Sequence, residues 1–317
     1  MDWRSLLLFL VFGQLLLLGL DIWERFFSAR RRYARGALRS RTIFFIVAVT
    51  LAYGSLQVLG MQLVPGINEL IAAAALSSPE AVPTISATPH PAVYVVLVVV
   101  AFYVLGLCDY LVHRFLSHGR YLWFTHESHH LVNDVSTFMP GIFVRPYAFV
   151  VYLPSAFAAI LIMQALLATL GYGAYDMTSI IIAVILLQTS VLGASHSSYL
   201  RRCGWMHAIL RPLGITSPQD HWLHHCSDLD CNYGNSVVLW DRVFGTYVDP
   251  LRTDTANRKA GLSYRQDFLG AVTASNLCLP AQVRRRYQIH LFCNETPEKT
   301  VARQLNGRIE GAPASRP

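Results

Sequence analysis

Charge is scarce in this chain of 317 residues: Asp, Glu, Lys and Arg together make up 14%, against 53% hydrophobic residues and a mean hydropathy of +0.38. An ordinary soluble domain carries about 25% charged residues, so the composition excludes that class and indicates a polytopic membrane protein. Lysine is nearly missing, occurring only at Lys259 and Lys299, so the net charge of +7 rests on arginine. A positive balance can signal nucleic-acid binding, but these arginines sit beside apolar runs, where membrane topology accounts for them. The six cysteines lack the paired spacing of a secreted disulfide scaffold, and no internal repeat is evident. From about residue 251 the composition turns polar, and Gly311–Pro317 reads as a disordered tail.

Apolar stretches occupy roughly 5–20, 43–64, 92–112, 147–170 and 178–195. A spanning helix needs about 20 mostly apolar residues, so the last four qualify. The first is marginal unless Trp3 and Trp23 anchor it at the interfaces. No small-residue cleavage site follows Leu20, so a retained helix is expected there rather than a signal peptide. Gly66–Leu76 is too short to span and is expected to lie at the surface or to re-enter.

Lysine and arginine are absent from 65–91 and from 171–177, whereas Arg25, Arg30, Arg31, Arg32, Arg35, Arg39 and Arg41 crowd the segment between the first two runs. By the positive-inside rule 24–41 is expected to be cytoplasmic and the two uncharged-to-acidic loops to face outward. The third run then ends on the cytoplasmic side, and the fourth and fifth form a hairpin that goes out and returns to it.

Both emergence points lead into histidine. The chain has twelve histidines, and nine fall into three clusters and a single: His113 with His118; His126, His129 and His130; His196; and His221, His224 and His225. Imidazole is a neutral ligand for iron, zinc, copper or nickel. One metal takes about four to six protein ligands, so nine convergent imidazoles imply two metals. The two H-x-x-H-H clusters have i, i+3, i+4 spacing, which sets three imidazoles on one face of a helix. Two such helices facing each other can surround a metal pair. His113 and His118 are five apart and diverge by about 140° on a regular helix; either they serve different metals or the helix deforms. His90, His207 and His290 stand apart and read as interfacial or core residues. Cys226 and Cys231 flank the last cluster, but the histidine set is complete without them. Asp109, four residues before His113, is a candidate acceptor for an imidazole N–H.

The runs Asp109-Tyr-Leu-Val-His113-Arg114 and Leu122-Trp123-Phe-Thr-His126-x-x-His129-His130 resemble the fatty acid hydroxylase superfamily, also called the sterol desaturase family. So do His221-x-x-His224-His225, Asn232-Tyr233-Gly234 and Trp240-Asp241-Arg242-Val-Phe244-Gly245-Thr246, and His196 matches the lone histidine that such proteins carry between boxes. The resemblance spans about 109–247. It implies an integral-membrane di-metal oxygenase using two iron ions, O2 and an external electron donor to hydroxylate or desaturate lipid or sterol C–H bonds. Asp109, Asn232 and Asp241 are then candidates to support the ligands. The stretch Leu131–Pro146 departs from the family's asparagine-threonine-arginine pattern, although Asn133 and Thr137 are present. No His-Pro-Gly-Gly haem motif occurs, so electrons are expected from a separate electron-transfer protein. Zinc in an isolated preparation leaves the iron assignment standing, since imidazole accepts both.

The expectation is an all-α membrane bundle of about four to five spanning helices with a cytoplasmic histidine-rich helical cap. Its expected parts are membrane helices and a linker over 1–91, a catalytic domain over 92–250 and a peripheral segment over 251–317. The expected location is a bacterial inner membrane. The expected activity is hydroxylation of a fatty-acyl, aminolipid or sterol substrate drawn from the bilayer. The motifs do not separate this from desaturation. A membrane metal transporter is the reading from another class, but transport favours ionisable residues inside the spans, and these histidines cluster at their ends.

Overall fold

A computed structural model describes residues 8, 12–13, 15–23, 90–119, 122–130, 149–172, 175, 177–226, 231–253 and 260. Among them the architecture is helical. α1 is Pro91–Leu111, continued by a π-helical turn Val112–Ser117; α2 is Trp123–His130; α3 is Phe149–Thr169; and α4 is Thr178–Ser195. After a 3-10 turn at Leu200–Arg202 come α5 (Gly204–Leu213), α6 (Pro218–His224) and α7 (Leu239–Val243). An isolated antiparallel bridge joins Cys226 to Ala260.

Among the described residues, three helices are long and apolar enough to cross a membrane: Pro91–Ser117, Val151–Thr169 and Thr178–Ser195. At 1.5 Å per residue the 21 residues of α1 run about 31 Å, the depth of a hydrocarbon core. These helices are the apolar runs at 92–112, 147–170 and 178–195. Of the first run (5–20), residues 8, 12–13 and 15–20 are described and helical, and the helix continues to residue 23; the run at 43–64, the basic segment 24–41 and Gly66–Leu76 lie outside the described residues.

Contacts fix which ends meet. At one end the Tyr94 hydroxyl donates to the Ser179 carbonyl, pairing the starts of α1 and α4. At the other end lie the π turn, the start of α3 and the close of α4. Between them Leu97, Ala101 and Phe102 of α1 pack with Met163 and Leu167 of α3 and with Met177, Ile180, Ile181 and Val184 around α4. Asp21 is buried and accepts hydrogen bonds from Ser197 Oγ (2.6 Å) and Tyr199 N (3.2 Å). The first apolar run therefore ends beside His196, at the same end of the bundle as the histidine clusters.

The chain after α4 folds back along α1. α5 ends at Gly214, whose left-handed backbone (φ +67°) lets the chain turn under Leu239; a Cβ there would stand 2.7 Å from the Leu239 Cβ. Gly106 of α1 likewise admits Val237, which a Cβ would meet at 2.5 Å. The indole of Trp240 donates to the Tyr103 carbonyl (3.0 Å), and the Tyr103 hydroxyl donates to the Leu213 carbonyl.

Candidate metal centre

All nine clustered histidines are buried, each less than 8% exposed. The structure sorts them into two groups of nitrogen donors, each within 4.8 Å internally: His113, His118, His126, His130 and His224; and His129, His196, His221 and His225. The groups adjoin, with the rings of His130 and His225 stacked at 4.6 Å.

Each H-x-x-H-H helix serves both groups. On α2 the i, i+4 pair His126 and His130 enters the five-membered group and His129 the other. On α6 the assignment is reversed: His221 and His225 enter the four-membered group and His224 crosses to the five. The two facing helices thus exchange one imidazole each.

His113 and His118 fall in the same group because the helix deforms between them. The His118 amide donates to the His113 carbonyl at 2.9 Å, the i→i+5 bond of a π turn. That wider turn brings both side chains to one face, removing the divergence of a regular helix. Their rings lie 4.9 Å apart.

α6 is set by its own sequence. Ser217 accepts from the Asp220 amide while Asp220 accepts from the Ser217 amide, a capping box with Pro218 at the first helical position. Next to it, His207 is buried and bonds Ser217 Oγ at 2.8 Å, and it belongs to neither donor group. His90 caps α1 at its exposed start. His290 lies outside the described residues.

Backbone carbonyls orient the imidazoles. His113 Nδ1 donates to the Tyr233 carbonyl (2.6 Å), His224 Nδ1 to the Cys231 carbonyl (2.9 Å) and His196 Nδ1 to the Leu192 carbonyl (2.8 Å). With Nδ1 protonated, the Nε2 of each neutral ring is a bare lone pair turned into its group. Buried His224 Nε2 has no hydrogen-bond partner. In the four-membered group His196 Nε2 lies 2.8 Å from His221 Nε2 and 3.2 Å from His129 Nε2, and His225 Nε2 lies 3.1 Å from His221 Nε2. In the other, His126 Nε2 is 2.9 Å from His113 Nε2 and 3.1 Å from His130 Nε2. Bare lone pairs at such distances repel. Imidazoles sharing one cation at about 2.0–2.1 Å would stand about 3 Å apart at right angles. The donor set therefore fits two metal ions. Burial, reinforced by neighbouring imidazoles, holds the pKa of His118, His126, His130, His221 and His225 well below 6.5; burial also lowers His196 to about 3 and His224 to about 4. They are neutral, the form that binds metal.

The three support candidates act on the segment 231–235, which carries the Cys231 and Tyr233 carbonyls, and one differs from expectation. Asp109 does not take an imidazole N–H: the Tyr233 carbonyl occupies that place at His113, and the Asp109 carboxylate accepts from Asn235 Nδ2 at 2.9 Å. Asn232, in the left-handed region at φ 52°, donates to the Asp220 and Val248 carbonyls and accepts from the Val248 amide. Asp241 accepts from the Tyr233 and Gly234 amides and from Thr246 Oγ1, each at 2.7 Å. Sequence reasoning also missed Tyr152 on α3, whose hydroxyl lies 3.2 Å from His126 Nδ1. A tyrosine near the end of an apolar run reads as an interfacial anchor, so only its position reveals it.

Replacing Asp241 by alanine strands two buried amides, each costing about 1–3 kcal/mol. The expected result is a lower unfolding temperature and faster metal loss, partly restored by Asp241→Asn, which keeps one acceptor oxygen. Unchanged thermal unfolding and metal retention in Asp241→Ala would remove its role in holding the loop.

Residues 98–246 match the fatty acid hydroxylase family. The chain is 26% identical over 151 residues to alkylglycerol monooxygenase of Xenopus tropicalis. That match covers 44% of this chain and 28% of the frog protein. No solved structure matches the chain. The matched segment holds all nine clustered histidines and the loop whose carbonyls orient His113 and His224, and over it the chain is similar to the fatty acid hydroxylase family.

Proposed function

We propose that this protein is a membrane-bound, di-iron, O2-dependent oxygenase that hydroxylates a C–H bond of a lipid. The observation that carries this reading is the buried five-and-four division of nine imidazoles, three of them locked with their lone pairs inward. His113, His118, His126, His130 and His224 would hold one iron, and His129, His196, His221 and His225 the other. The iron pair, when bound, supplies the O2 chemistry that an unactivated C–H bond requires and that side-chain acids and bases do not provide.

The chain's own part is geometric. The loop 231–234 fixes two ligand tautomers through its carbonyls, and Asn232 and Asp241 fix the loop. The centre lies at the ends of apolar spans, where a substrate drawn from the bilayer would reach it, so a fatty-acyl, aminolipid or sterol substrate fits the class. The name of the frog protein, alkylglycerol monooxygenase, supports adding an alkylglycerol to it. Electrons come from a separate electron-transfer protein. We assign 92–250 to the catalytic domain, with 1–91 as membrane helices and linker and 251–317 as a peripheral segment.

The reaction is read by isotope. Under 18O2 the lipid product should gain one labelled oxygen, whereas in H2 18O it should gain none. An unlabelled alkene would move the assignment to a desaturase, and turnover without O2 would remove both.

We further place the histidine end on the cytoplasmic face of a bacterial inner membrane, on the strength of the arginines at 24–41. Cysteines engineered in 171–177 should then react with an impermeant reagent from outside and those at 113–118 should not. The opposite labelling pattern reverses the orientation.

A further inference from the structure

α5 presents its apolar stripe away from the protein. Trp205, Ala208, Ile209, Pro212 and Leu213 recur at i, i+3, i+4, i+7 and i+8, the pattern that ordinarily packs inward. Here all five are exposed; Trp205, Ile209 and Leu213 are 62%, 55% and 53% accessible. The inward residue is a polar one, His207, bonded to Ser217. The helix is therefore amphipathic with its faces interchanged relative to a helix on a water-facing surface.

Its position identifies what covers the stripe. The α5 C-terminus is tied to α1 through the Tyr103 hydroxyl, which donates to the Leu213 carbonyl. Tyr103 lies ten residues before His113, about 15 Å back along the helix, within the segment long and apolar enough to cross the membrane. The end of α5 thus sits at the level of a spanning helix. Arg201 and Arg202 precede α5 directly, and Arg211, paired with Asp249 at 2.7 Å, lies near its end. Trp and Arg at the ends of an apolar face are the composition of a helix at the headgroup boundary of an anionic bilayer.

We propose that α5 lies in the membrane interface, with Trp205, Ile209 and Leu213 in the acyl region and the exposed Arg202 beside anionic headgroups, while Arg201 stacks on the Trp222 ring at 4.7 Å. The helix that leads directly into the capping box of α6 is then a membrane anchor. This inference rests on the spanning character of α1 and not on the metals, so the two readings fail separately.

The test is nitroxide accessibility in the full chain, reconstituted into phosphatidylethanolamine–phosphatidylglycerol vesicles. Labels are attached at Ile209→Cys and, separately, Leu213→Cys, and the signal of identically treated unsubstituted protein is subtracted for the native cysteines. Both side chains are more than half exposed, so either substitution removes little packing, and each variant checks the other. Oxygen, which concentrates in lipid, is expected to relax both labels more strongly than a water-soluble nickel chelate, placing them about 5–10 Å below the headgroup boundary. Stronger relaxation by the nickel chelate means a water-facing helix and overturns the proposal. Protection from both reagents means that protein covers the stripe and overturns it as well. Dipolar broadening in that case identifies a second copy of the chain.

Discussion

Alanine at His221 is expected to lower metal content from two ions per chain to one and to reduce lipid oxidation by at least about a hundredfold. Losing a group that merely orients a ligand already costs about 10–100-fold, and His221 is assigned as a ligand itself. Its Nε2 stands at the middle of the four-membered group, 2.8 Å from His196 Nε2 and 3.1 Å from His225 Nε2. Removing it leaves three imidazoles, an open set. The five-membered group has a donor to spare: His118→Ala leaves His113, His126, His130 and His224. Variants of the four should therefore shed their metal more readily on dilution into chelator than His118→Ala does, although both lose turnover. His90→Ala, at an exposed helix cap, should keep two metals and full activity. Elemental analysis beside a turnover assay decides. A reproducible single metal in the unsubstituted protein would sink the paired site, and equal loss at His90 and His221 would mean that histidine replacement acts through folding.

The parts of this arrangement that hydropathy governs were legible in the chain. The runs at 92–112 and 178–195 coincide with Pro91–Leu111 and Thr178–Ser195 to within a residue, because a helix that crosses lipid must be apolar over its whole length. The clustering of His113 through His225 followed from spans that return to one end. The division of the nine into five and four was not legible. An i, i+3, i+4 triplet marks one helix face, and sorting its members between two centres depends on how α2 and α6 face each other. The π turn was visible only as a conflict between His113 and His118, since a one-residue widening leaves no composition of its own. Asp109 misled because it lies at helical spacing from His113, while the acceptor there is the carbonyl of Tyr233, 120 residues away. Backbone partners carry no side-chain signal. Asn232 and Asp241 were visible as motif residues, and their work on the carbonyl-bearing loop required the fold.

Acidification should open the metal-free protein between about pH 6.5 and 4, well before the metal-loaded protein responds. Burial of His196 and His224 lowers their pKa from 6.5 to about 3 and about 4, and the neighbouring imidazoles outside the spans shift the same way. An opened cap exposes these rings to water at their ordinary value, so below 6.5 the open state binds protons that the closed state refuses. Stability therefore falls as pH falls, by about 1.4 kcal/mol per pH unit for each such group. At pH 5, His196 and His224 alone account for about 4 kcal/mol, a large share of the 5–15 kcal/mol that holds a typical domain together. Further loss from His224 ends near pH 4 and from His196 near pH 3, where the closed state also takes up the proton. Bound metal competes with protons for the same lone pairs, so loaded protein should hold its structure to lower pH and then release metal and unfold together. Circular dichroism and metal release, followed from pH 7.5 to 3.5 on chelator-stripped and loaded samples, measure both curves. A stripped protein whose helicity stays flat through pH 5 would mean that these imidazoles are hydrated in the metal-free state, and the closed, lone-pair-inward centre would not survive that result.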